Sequence, residues 1–177
     1  MHSAAQGHLV SPLEWACTVE EIRLHKNVLL VEDQPGDARL AQEAFRSAAQ
    51  FITLHTAYDG MEALAFLRAP ADRSAVPRAD LILLDLNLPE LDGRGLLAEL
   101  KNDRDLARIP VVVLTASDTP GDVEKCYRMG ASCFLNKPEE WDPYEVLVQG
   151  IINFWLTDPP LKMLRRLPAK EGAAAGA

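Results

Sequence analysis

The stretch LILLDLNLP, residues 81–89, decides how the rest of the chain is read. Four consecutive apolar residues, Leu81 to Leu84, stop abruptly at Asp85. Unbroken rather than alternating apolarity marks a strand buried on both faces, as in a parallel sheet covered by helices. An acid directly after such a strand lies at its carboxyl end, where open α/β sheets keep their sites.

Reading outward, the same grammar recurs. VLLV at 28–31 runs into Glu32 and Asp33, VVVL at 111–114 into Thr115, and CFL at 133–135 into Asn136, Lys137 and Pro138. FITLH at 51–55 is a fifth, weaker run. Helical patterns separate these runs. Leu40, Ala41, Ala44, Phe45 and Ala48 share one face, and Asp59 is placed to cap a helix carrying Met61, Leu64, Ala65 and Leu67. Leu96, Leu97 and Leu100 mark a third helix. Thr119 with Pro120 starts a fourth, ended by Gly130, and Asp142 with Pro143 starts a fifth bearing Val146, Leu147, Ile151 and Phe154.

Strand and helix thus alternate five times. The expectation is an α/β fold: a doubly wound five-stranded parallel sheet, flavodoxin-like, in order 2-1-3-4-5 with helices on both faces. It spans residues 27–157, between an N-terminal extension (1–26) and a C-terminal arm with a disordered tail (158–177). Residues 1–26 read first as a loosely held extension, the alternative being a short helix from about residue 12 to 24 that Ser11, Pro12 and Glu14 would fit. The segment 69–79 reads as an exposed loop.

The 177 residues carry a formal charge of -8, which argues against a general nucleic-acid binder or a partner of anionic membranes. Cys17, Cys126 and Cys133 lack metal or disulfide spacing, which fits a reducing compartment. The N-terminus lacks signal-peptide character and no apolar run is long enough to span a bilayer, so the expected location is cytoplasmic.

The fold would gather Glu32, Asp33, Asp85, Thr115 and Lys137 on one rim. Taken singly, each is ordinary: a solvated acid, a turn residue, a helix cap, a surface lysine. Together they form a set of hard oxygens beside one fixed cation. Clustered carboxylates need a compensating cation, and Mg²⁺ prefers such donors. Asp33 and Asp85 would ligate it directly, Glu32 through water, and the Asn87 backbone carbonyl would add an oxygen. Such a pocket suits phosphoryl transfer to a carboxylate, with Asp85 attacking and Lys137 neutralising charge on the phosphoryl oxygens. The Thr115 hydroxyl is placed to bond a phosphoryl oxygen. A cis bond before Pro138 would aim Lys137 inward.

With these residues on the page, the chain resembles the response-regulator receiver family. The segments LLVEDQPGDARL, LILLDLNLPELDG, IPVVVLTAS and GASCFLNKP carry the resemblance and cover nearly all of residues 27–157. It implies Glu32 and Asp33 as the acidic metal pair, Asp85 as phosphoacceptor and Thr115 as switch hydroxyl with Ala116 beside it. It also implies Lys137 as the phosphate-contacting lysine and Phe134 as the switch aromatic. Phe134 stands where Tyr is typical, and Asn136 before Lys137 is also a departure. A closer resemblance, in DLNLPELDGRGLLAELKNDRDLARIPVVVLTAS, YRMGASCF and the late FWL, is to regulators paired with phytochrome-type histidine kinases. It implies a cognate sensor kinase, a homodimer, and a phosphoacceptor signalling domain rather than an enzyme, catalysing only its own phosphorylation and dephosphorylation. Too little chain follows residue 157 for a DNA-binding or enzymatic output domain.

Three rival readings make contrary demands. A haloacid-dehalogenase-type phosphatase wants DxDxT after its first strand, where this chain has EDQPG. A flavodoxin-like electron carrier wants a glycine- and hydroxyl-rich phosphate loop there. A pseudo-receiver would lack part of the acidic set. In the last helix, Val148, Ile152, Trp155 and Leu156 lie partly off the expected core face. They are the candidate dimer seam, the alternative being that residues 159–168 fold back over them.

Overall fold

The computed structural model describes residues 25–69, 78–116 and 119–157. The alternative helix at 12–24, most of the 69–79 loop and the C-terminal arm lie outside the described residues. Five strands, β1 (Lys26–Val31), β2 (Ile52–Ala57), β3 (Leu81–Leu84), β4 (Val111–Thr115) and β5 (Cys133–Asn136), form one parallel sheet in order β2-β1-β3-β4-β5. Between and after them run α1 (Pro35–Ala48), α2 (Gly60–Leu67), α3 (Gly93–Asn102), α4 (Pro120–Arg128) and α5 (Trp141–Ile151). A π-helical turn, Ile152–Leu156, continues α5. This is the expected flavodoxin-like architecture.

The period-two geometry of strands explains the unbroken apolar runs. Leu29, Val31, Ile82, Leu84, Val111 and Val113 point to one face and pack with Ala63, Leu64, Leu96, Leu97, Leu100 and Cys126 of α2, α3 and α4. Val28, Leu30, Leu81, Leu83, Val112 and Leu114 point to the other, against Ala41, Phe45, Tyr144 and Val148 of α1 and α5. Every residue of the central strand β3 is therefore buried, whichever face it takes.

Local signals fix the helix ends. Asp59 accepts the Glu62 N–H at 2.7 Å while Glu62 reaches back to the Tyr58 N–H at 2.7 Å, closing α2 with a reciprocal cap. Thr119 caps α4 by accepting from the Asp122 N–H, with Pro120 at the first position. Gly130 ends α4 at φ +94°, and the Ala131 N–H to Cys126 C=O and Gly130 N–H to Tyr127 C=O bonds complete a Schellman closure.

The last helix differs from its expected form. It begins at Trp141 after Glu140, not at Asp142–Pro143. Pro143 is tolerated inside the first turn because an N–H there has no intrahelical acceptor. The buried stripe is Tyr144, Val148, Ile151, Ile152 and Leu156, at helical spacing, whereas Val146 and Phe154 are 74% and 76% exposed. Ile151 and the half-buried Leu147 keep the expected core side, while Val146 and Phe154 leave it and Val148, Ile152 and Leu156 take their place. Val148, Ile152 and Leu156 belong to the core and form no seam, and Trp155 is half-buried against it. Tyr144, absent from the expected stripe, is buried and sets its phase.

Candidate functional site

The carboxyl ends of β1, β3, β4 and β5 meet at one rim. At the end of β1 the Glu32 N–H donates to Ala57 C=O at 2.9 Å, extending the ladder by one residue and turning the Glu32 side chain inward. Asp33 follows, half-buried, and Gln34 fixes both acids: its backbone N–H donates to Glu32 Oε1 at 3.1 Å and its side-chain amide to Asp33 Oδ2 at 2.9 Å. At the end of β3 the Asp85 N–H donates to Val31 C=O at 3.0 Å, which seats Asp85 beside the β1 acids. Its Oδ1 accepts the Asn87 N–H at 3.1 Å, a turn that Asp side chains favour. Glu32, Asp85 and Thr115 are the buried polar or charged residues among those described.

Lys137 reaches this cluster from the end of β5. Its backbone N–H donates to Thr115 C=O at 3.0 Å, aligning the residue with β4. Its ammonium donates to Glu32 Oε2 at 2.5 Å, Asp85 Oδ2 at 2.9 Å and Asp37 Oδ2 at 3.0 Å. No peptide bond among the described residues is cis, so the expected cis bond before Pro138 is corrected to trans. Trans is the lower-energy isomer, and Lys137 enters the pocket without the swap.

The electrostatics follow from burial and charge. Burial pushes the Glu32 carboxyl up from 4.5 and Asp85 adds to the push, while Lys137 and the Gln34 N–H pull it partly back. Burial alone would lower Lys137, but hydrogen bonds to Glu32, Asp85 and Asp37 outweigh it and hold the ammonium above its ordinary value. Tyr144 is pushed up to about 12, mainly by burial, with Lys137 pulling down and Glu32 and Asp37 pushing up.

Each of Glu32, Asp33 and Asp85 offers an oxygen within 4.8 Å of the others. Three hard anionic oxygens at this spacing fit a divalent cation. The structure therefore brings together Glu32, Asp33, Asp85 and Lys137, with Thr115 fully buried at the adjoining strand end. Asn87 and Ala116 are exposed just beyond Asp85 and Thr115. Phe134 stands apart: it packs against the core on the α2, α3 and α4 side, and its N–H donates to the Tyr127 hydroxyl at 3.2 Å. Sequence reasoning missed Asp37 and Tyr144. Asp37 had a readable signal, lying four residues past Asp33 in the first turn of a helix opened by Pro35. Tyr144 was hidden by the misplaced start of α5.

A family model for the response regulator receiver domain matches residues 28–148. Response regulator Rcp1 of Synechocystis is 46% identical over 131 residues, covering 74% of this chain and 89% of that protein. The Mn(2+)-bound crystal structure of Rcp1 superposes with a TM-score of 0.68 at 45% identity, covering 76% of this chain and 96% of its own. The phosphorylated cyanobacterial phytochrome response regulator RcpA gives a TM-score of 0.70 at 44% identity, covering 75% and 95%. Fold, acid cluster and sequence agree, and the chain belongs to the response regulator receiver domain family.

Proposed function

We propose that this chain is a cytoplasmic response regulator in which Asp85 accepts a phosphoryl group from a sensor histidine kinase of the phytochrome type. The observation that carries this reading is the 2.9 Å contact between Lys137 Nζ and Asp85 Oδ2, inside a trio of cation-fitting carboxylates. An Asp85 oxygen attacks the phosphorus of the donor phosphohistidine. The P–O bond forms, the P–N bond breaks, and the electron pair leaves with the imidazole. Lys137 offers N–H donors to the phosphoryl oxygens, and the Thr115 hydroxyl then bonds one of them. Glu32, Asp33, Asp85 and the Asn87 carbonyl would hold Mg²⁺, which when bound neutralises charge on the acids and on the phosphoryl group. Water attack on phosphorus forms a new P–O bond, breaks the P–O bond to Asp85 and releases inorganic phosphate with return of the carboxylate, so the domain catalyses only its own phosphorylation and dephosphorylation.

Two comparisons support the kinase class: similarity to Rcp1 and to a phytochrome response regulator in its phosphorylated form. Asp85→Asn should abolish labelling by acetyl phosphate with Mg²⁺, and full labelling of that variant would move the acceptor elsewhere. Phosphotransfer profiling should show the fastest transfer from a phytochrome-type kinase.

The output is protein association. A concave strip of about 640 Å³ runs beside β5 and α5, lined by Leu135, Pro143, Val146, Phe154 and Trp155. Two of these, Val146 and Phe154, are large exposed apolar side chains, and such a patch supports a homodimer seam. No described helix is long and apolar enough to cross a membrane.

A further inference from the structure

Lys137 has three ammonium hydrogens and three carboxylate acceptors. Two of those acceptors, Glu32 and Asp85, also belong to the trio that fits a cation. A divalent cation among the trio competes with Lys137 for their lone pairs and repels its charge. Asp37 is the one acceptor outside the trio. It sits at the third position of α1, where the helix N-terminus favours a negative charge. Its side chain is 42% exposed while that of Lys137 is 8% exposed, so it grips the ammonium from the solvent side of the pocket.

We infer that Asp37 is a positioning residue for phosphoryl transfer: it retains one hydrogen of Lys137 so that the other two face the reacting phosphoryl oxygens when the cation trio is engaged. The inference rests on the reading of Asp85 as acceptor. Without Asp37 the ammonium has no acceptor independent of the trio, and its long side chain regains rotamer freedom. Orientation of a charged donor is a large share of such catalysis.

An opposing effect makes the role testable by sign. Asp37 is also a negative charge on the rim, and neutralising it favours the approach of anionic donors. If charge alone mattered, Asp37→Ala would label faster. As a positioning residue it labels slower.

The experiment compares wild type, Asp37→Ala, Asp37→Glu and Asp85→Asn at saturating Mg²⁺ with acetyl phosphate as donor. It adds thermal unfolding and the side-chain ammonium signal of Lys137 in ¹H–¹⁵N spectra of the Mg²⁺-loaded protein. The expected result is labelling slowed about tenfold in Asp37→Ala, largely recovered in Asp37→Glu. The protected ammonium signal should be lost in the first variant and regained in the second, with unfolding midpoints little changed. Labelling of Asp37→Ala at or above the wild-type rate, with Asp85→Asn unlabelled, overturns the inference and leaves the acceptor reading standing. A slow Asp37→Ala whose rate Asp37→Glu does not recover also overturns it. Labelling of Asp85→Asn overturns the acceptor reading itself.

Discussion

Gly93 packs against the backbone of Asp85 so closely that no side chain fits between them: a Cβ at position 93 would lie 2.2 Å from the Asp85 carbonyl oxygen and 2.7 Å from Leu86 Cα. The obstructing atoms are backbone, and the Gly93 N–H to Leu86 C=O bond at 3.0 Å holds them in place. Gly93→Ala must therefore push the first turn of α3 away from the strand end that carries Asp85. Expected is a loss of about 1–3 kcal/mol, as for overpacked sites, together with slower labelling of Asp85. Gly36→Ala, also beside the site, meets nothing within 4 Å and should unfold at or above the wild-type urea midpoint. Equal midpoints for Gly93→Ala and wild type would show that α3 is not held against Asp85.

The raised Glu32 carboxyl gives a pH dependence of definite sign. Its folded form holds a proton more tightly than the unfolded chain does. The stability this provides is full below 4.5, the unfolded value, and is lost as pH rises through the raised folded value. Glu32→Gln keeps the neutral shape at all pH. In metal-free protein the variant should thus gain stability relative to wild type as pH goes from 4.5 towards 7. Mg²⁺ affinity should move oppositely: wild type binds more weakly as pH falls, because protons compete for Glu32, and the variant loses most of that dependence. Denaturant unfolding and Mg²⁺ titration across this window check both, and a stability gap that shrinks on raising the pH would contradict the buried-acid assignment.

The contrast between Glu32 and Tyr144 shows what a linear reading reaches. Glu32, Asp33, Asp85, Thr115 and Lys137 were legible because each directly follows an apolar strand, and a parallel sheet aligns strand ends. Asp37 carried only its place in the first turn after Pro35, and its role depends on how far a lysine one hundred residues later reaches around the rim. The phase of α5 was misread for a similar reason. Val146 and Phe154 are as apolar as Val148 and Ile152, and only the packing of Tyr144 beneath α1 decides which stripe turns inward. Apolar character gave the helix but not its rotation. The cis bond expected before Pro138 is not needed to point Lys137 inward, because trans geometry achieves that already.

Gly130 closes α4 at φ +94°, where a Cβ would also approach the Lys101 chain at 3.0–3.2 Å. The neighbouring methylenes can shift, so backbone strain dominates the cost. Gly130→Ala should lose about 1–2 kcal/mol, the usual cost of a left-handed non-glycine residue. Asn tolerates this region better, so Gly130→Asn should lose less. Both are measured by urea unfolding, and an Ala variant as stable as wild type would mean that the Schellman closure yields without cost.

The burial of Val148 and the exposure of Val146 separate two kinds of substitution two residues apart. Val148 is fully buried, so Val148→Ala should cost about 2 kcal/mol or more through the cavity it leaves. It should leave the sedimenting mass at saturating concentration unchanged. Val146 and Phe154 are exposed on the apolar strip, so Val146→Glu or Phe154→Asp should leave urea unfolding of the monomer nearly unchanged while converting dimer to monomer. A chain ending at residue 157 tests whether the following segment also contributes: it keeps the dimer if the strip suffices and dissociates if the seam needs the arm. Sedimentation velocity over a hundredfold range of concentration distinguishes these cases. A monomeric wild type throughout that range would remove the homodimer from the proposal, and the strip would then need another occupant.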